Sequence, residues 1–111
     1  MNIELLSQII QGEGGILGPV GMYAVAGVLA TQLDADWLPC EIESAWYGRA
    51  EPQSYAEYLA ELLESEQMPA NGYLCCLSKQ DVDKEAFDIG ELVVSATGTP
   101  YQLHLFKEWP G

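Results

Sequence analysis

One carboxylate stands alone at the head of a long uncharged stretch. In "QIIQGEGGILGPVGMYAVAGVLATQL", residues 8–33, Glu13 is the single charged side chain, and residues 14–33 carry no charge at all. A glutamate set beside apolar groups suits proton delivery. Burial raises a carboxyl pKa, so the acid stays protonated near neutral pH and can protonate a leaving oxygen. Gly12, Gly14 and Gly15 around it would let a polymer approach the backbone closely. The competing reading is a turn acid at the beginning of the next helix, where negative charge complements the helix dipole.

Other residues with chemical potential are fewer. Trp46, Tyr47 and Tyr73 offer flat faces that stack on sugar rings, although core or rim packing is the commoner use of such aromatics. His104 has no second histidine and no partnered nucleophile close in sequence, which reads as a structural or surface histidine. The three cysteines, Cys40, Cys75 and Cys76, form neither an even disulfide set nor a zinc spacing, and are expected to be buried free thiols. Glu57, Glu61 and Glu64 repeat on one helical face without a histidine, so a solvated face is favoured over a metal site. The spacing of Asp81, Asp83 and Asp88 does not fit a calcium loop, and there is no glycine-rich phosphate loop. No metal or organic cofactor is expected.

The chain that must position these groups has 111 residues, 49% of them apolar, enough for one domain (1–111) with one modest core. Seventeen acids against four bases give a net charge of −13, which argues against nucleic acid as a partner, since a phosphate backbone would be repelled. The uncharged run has the length of a membrane span, about 20 residues. Against that, Gly18-Pro19 and Gly21 break its first third, leaving residues 20–33 as the helical part, and no Lys or Arg flanks it. A buried helix of a globular domain is expected in place of a span. The N-terminal "MNIELLSQ" lacks the basic start of a secretory signal, which implies cytoplasmic synthesis with phage- or host-assisted export if the target lies outside the cell.

Periodicity places a first helix capped by Asn2, with Leu5, Leu6, Ile9 and Ile10 on one side, ending at Gly12 and leaving Glu13 in a turn. A short helix is expected over residues 41–46. Ser54 and Glu57 match a capping box that opens a further helix, with Tyr55, Leu59, Leu62 and Leu63 forming its apolar stripe. The runs "GYLCCLS", "ELVVSAT" and "YQLHLF" are β-prone, and Gly98-Thr99-Pro100 reads as a hairpin connection between the last two. A turn of helix and a loop are expected over residues 79–90.

The order of these features resembles the cell wall hydrolase family typified by the spore cortex-lytic enzyme SleB. The likeness runs through "IIQGEGG", the buried "GMYAVAGVL", a Trp-rich loop leading to "PQSYAEYLAELL", and "ANGYLCCLSKQD", and would cover nearly the whole chain. It implies a mainly helical, lysozyme-like α+β domain with a small antiparallel sheet in the C-terminal third. It implies glycan-strand cleavage of peptidoglycan, of the lytic transglycosylase or muramidase type, with Glu13 as general acid/base. In a transglycosylase the sugar's own 6-hydroxyl attacks, so one glutamate serves as acid and then as base. Gln53-Ser54 matches part of the family's Gln-Phe-Ser element, making Gln53 a substrate-binding candidate beside Trp46, Tyr47 and Tyr73. Thr31-Gln32 stands where the family carries Asn-Arg. The charge of −13 leaves a rival reading open: an acidic interaction or inhibitor protein, a phage-borne nucleic-acid mimic for example, whose partner is a protein. A catalytically inactive member of the wall-hydrolase fold is the third.

Overall fold

Gly18 is where the apolar run reverses. Its φ of +68° and ψ of −153° lie in a region that only glycine occupies at low cost. Before it lies helix α1, Ile3–Gly14, continued by a 3-10 turn, Gly15–Leu17; after it comes α2, Gly18–Asp34, with Pro19 in its first turn. A computed structural model describes residues 2–78, 92–96, 99 and 101–107, and adds α3 (Pro39–Ala45), α4 (Ser54–Glu64) and strands β1 (Cys75–Ser78), β2 (Leu92–Ser95) and β3 (Gln102–Phe106). The fold is therefore mixed α+β and mainly helical, with a small antiparallel sheet in the C-terminal third.

Helices α1, α2 and α4 pack on one another, and the sheet lies against α2. Leu6, Ile9 and Ile10 from α1, Val25, Val28 and Leu29 from α2, and Leu59 and Leu63 from α4 meet Leu103 and Leu105 of β3 in one core. As expected from its lack of polar positions, α2 is buried along most of its length. By length and composition Ile3–Asp34 is one stretch that could cross a membrane. The reversal at Gly18 and the burial of 61% of its most apolar window inside the fold weigh against that use.

The glycines expected to end α1 do something else. The helix continues through Gly12 and Glu13 to Gly14, so Glu13 lies in its last turn and not in a loop. Gly14 and Gly21 let α1 and α2 touch backbone to backbone: a Cβ on Gly14 would lie 2.6 Å from the Gly21 carbonyl oxygen, and one on Gly21 would run into Gly14. Close crossing, and not helix termination, explains the glycine.

Both α2 and α4 are closed by a six-residue carbonyl loop, Trp37 N–H to Gln32 O at 3.0 Å and Gln67 N–H to Leu62 O at 2.8 Å. The left-handed residue at each end is an acid, Asp36 with φ 63° and Glu66 with φ 60°, where glycine is the usual occupant. Two local expectations shift. The short third helix starts earlier, with Pro39 in its first turn and Trp46 beyond its end. The capping box does not form: Gln53 is the cap residue of α4 and makes no side-chain cap, its N–H being held by Gln11 Oε1 at 3.0 Å.

The sheet order is β1-β3-β2, with both pairs antiparallel. Ser95 faces Gln102, as a β2–β3 hairpin requires, while Gly98 and Pro100 of its connection lie outside the described residues, as does the stretch expected over 79–90. All of Leu103, His104, Leu105 and Phe106 are buried, which follows from β3 being central and places His104 inside the structure. The thiols divide: Cys75 is buried and Cys76 half-buried, but Cys40 is exposed on α3, contrary to expectation. Burial pushes the Cys75 thiol up from its ordinary pKa.

Two outcomes follow. Gly21→Ala should destabilise the protein by about 1–3 kcal/mol, seen as a lower urea midpoint at unchanged slope. At pH 8 Cys40 should react with a disulfide reagent first, and Cys75, buried and short of thiolate, only when the protein is unfolded.

Candidate functional site

The segment 46–53 leaves α3 and lies along α1. Ala50 N–H reaches Gln8 O at 3.2 Å, and Gln53 N–H reaches the Gln11 side chain. Gly12 permits the approach, because a Cβ there would lie 2.6 Å from Arg49 N. At the same point Gly48 N–H donates to Glu13 Oε1 at 2.6 Å. The carboxylate is half-buried, held by one oxygen; among the described residues the second oxygen has no hydrogen-bond partner. A Cβ on Gly48 would sit 2.7 Å from Glu13 Oε1, so a side chain there would push the carboxyl group aside. A carboxyl group oriented by one backbone N–H and open at its other oxygen can donate or accept a proton there.

This placement removes one simple explanation of Glu13. In the last turn of α1 a negative charge meets the negative end of that helix's dipole, so the residue cannot be accounted for as a favourable helix-start acid. The Gly48 amide offsets that cost.

Side-chain hydrogen bonds shape the segment that holds it. The Trp46 indole N–H donates to Gln32 Oε1 at 2.8 Å, and Gln32 Nε2 donates to Leu74 O at 2.9 Å. Arg49 folds back over the turn, its guanidinium donating to the carbonyls of Trp46, Gly48 and Glu43. Five N–H donors on a fixed fork make arginine suited to gathering several carbonyls at a helix end.

The expected site residues therefore separate. Tyr47, between Trp46 and Gly48, is 89% exposed and free to meet a ligand one residue from the Glu13 contact. Gln53 is exposed, and its backbone is tied to Gln11, two residues before Glu13. Trp46 is a core residue at 4% exposure whose indole is committed to Gln32, so its ring does not face a ligand. Tyr73 is half-buried against the core, its N–H held by Asn71 Oδ1 at 3.1 Å, and no described contact brings it to Glu13.

Thr31 and Gln32, noted in the sequence only as a departure, prove central. Thr31 Oγ1 lies 2.9 Å from the Gly27 carbonyl and 3.2 Å from Asn71 Oδ1, and accepts from Gly72 N–H at 3.0 Å. Asn71 reaches back to α2 through Nδ2 to Ala24 O at 3.2 Å, over Gly27, where any side chain would collide with it. Together these bonds dock the approach to β1 onto α2. Asn71 and Gly48 carried no sequence signal. A lone arginine in so acidic a chain was the one clue to the turn at 46–49.

Gln32→Leu should leave the Trp46 N–H and the Leu74 carbonyl unpaired in the interior. A loss of about 2–5 kcal/mol is expected by thermal or urea unfolding, with a shift in tryptophan emission at low denaturant. Comparison of the chain with family models, with characterised proteins and with solved structures returns no match, so the resemblance to the wall hydrolases rests on the order of its motifs.

Proposed function

We propose that the protein cleaves peptidoglycan glycan strands with Glu13 as the general acid/base. The observation that carries this reading is the carboxyl group itself, fixed through Oε1 by Gly48 N–H with its other oxygen unpartnered among the described residues. Its position at the unfavourable end of α1, held by the amide of a glycine whose Cβ would crowd the carboxyl group, is what a working group requires and a solvated surface acid does not. The motif order shared with the SleB-type hydrolases supplies the substrate class.

The chemistry needs little more. Protonated on Oε2, Glu13 keeps Oε1 as acceptor for Gly48 and gives its proton to the glycosidic oxygen as the bond to C1 breaks. The resulting carboxylate then takes the proton of the attacking hydroxyl. With the sugar's own 6-hydroxyl as nucleophile the product is an anhydro-sugar; with water it is a free reducing end. Tyr47 is placed to lie against a sugar ring and Gln53 to bond a substituent.

Digestion of purified peptidoglycan, with the soluble products read by mass spectrometry, tests this. Glu13→Gln retains an acceptor for Gly48 and should stay folded while losing on the order of 10²–10⁴-fold in rate. Gly48→Ala, which must displace the carboxyl group, should lose on the order of 10–100-fold with binding to the insoluble wall retained. Anhydro-muropeptides from the wild type alone would establish a lytic transglycosylase. No release by the folded wild type would turn the assignment to an inactive member of that fold or to an acidic binding protein.

A further inference from the structure

Two side chains of α1 are gripped in the same way by the segment that crosses it. Glu13 accepts Gly48 N–H through Oε1, and Gln11 accepts Gln53 N–H through its own Oε1 at 3.0 Å. That second bond fixes which end of the Gln11 amide is the oxygen, because the nitrogen end cannot accept. Nε2 then lies over Gly15: a Cβ there would sit 2.6 Å from it, and the other near neighbours of that Cβ belong to the same side chain. Among the described residues this half-buried NH2 group donates to nothing. An amide held by its oxygen has already lost the rotamer freedom that a ligand would otherwise have to remove.

We infer that Gln11 is a substrate-binding residue whose Nε2 donates to the carbonyl oxygen of an acetamido group, on a sugar ring beside the bond held at Glu13. The inference rests on the cleavage reading and adds to it the recognition of N-acetylation, since the sugars of a peptidoglycan strand carry that group. Residues two apart lie on opposite flanks of a helix, so a strand reaching from Glu13 to Gln11 crosses the end of α1. It passes there over Gly15, which has no side chain, and the exposed Ile16. Residues 14–33 bring no charge to this crossing. Charge also selects the ligand group: in a chain of −13, a neutral carbonyl meets the amide with less opposition than a carboxylate would.

The test titrates ¹⁵N-labelled protein with chitotetraose and with cellotetraose, in which a hydroxyl replaces each acetamido group. Chitotetraose should bind more tightly and move the Gln11 side-chain NH2 signals saturably. Gln11→Glu keeps an acceptor for Gln53 N–H and loses the donor, so affinity for chitotetraose should fall by about 3–10-fold while that for cellotetraose stays. Gly15→Ala makes the test without adding charge. Gly15 has helical φ and ψ, so alanine suits the backbone and displaces only the Gln11 amide. The same selective loss is expected, with a melting temperature at or above that of the wild type. No binding of chitotetraose, unmoved Gln11 signals at saturation, or an undiminished preference in both variants would overturn the inference. The cleavage reading fails separately: selective binding without release of wall fragments keeps the Gln11 site and discards cleavage, whereas release without any preference for the acetamido sugar keeps cleavage and discards the Gln11 site.

Discussion

A single amide holds the parts of this fold in register. Gln32, 2% exposed near the end of α2, spends its carbonyl oxygen on the Trp46 indole and its nitrogen on the Leu74 carbonyl. One bond fixes the segment that carries Gly48 to Glu13; the other fixes the backbone just before β1. Buried polar groups that are fully paired specify geometry because every alternative arrangement leaves one of them unpaired. Pairs of apolar side chains could supply comparable burial energy, but they would let the loop and the sheet slide over α2.

Close backbone packing is the second determinant, and it accounts for most of the glycines around the carboxylate. Gly14 meets Gly21, Gly12 meets the 48–49 backbone, and Gly48 meets the carboxyl of Glu13. These contacts bring two helices and an irregular segment nearer than side chains would allow. Glu13 reaches an amide there because both backbones have been stripped of Cβ atoms.

What could be read from the sequence was whatever depends on neighbours in the chain. The 3.6-residue recurrence of Leu5, Leu6, Ile9 and Ile10, the apolar α2 and the stripe of α4 appear where periodicity puts them, and the β-prone runs form an antiparallel sheet. Gly12 reads as a terminator in the sequence, because a glycine that ends a helix and one that lets another backbone approach look alike in one dimension. Gln32 was legible only as an odd polar residue, its partners lying 14 and 42 positions away. Glu13 could be singled out by its isolation in an uncharged run, but the Gly48 amide that orients it comes from 35 residues on. Trp46 and Tyr47 show the same limit: adjacent aromatics, one sealed in the core and one almost fully exposed.

The strand order has a consequence for how the chain assembles. β1 and β2 are not neighbours in the sheet; among the described residues each pairs with β3, and that pairing waits until residues 102–106 have been synthesised. During translation at roughly 5–20 residues per second, the helices can associate well before that point, while two β-prone segments wait for their shared central strand. Leu103 and Leu105 then close the core from the sheet side in the same event that pairs both waiting strands. Nascent chains stalled before residue 102 should therefore present the helical layer without its cover, a state in which chaperone recognition and aggregation compete with completion of the fold.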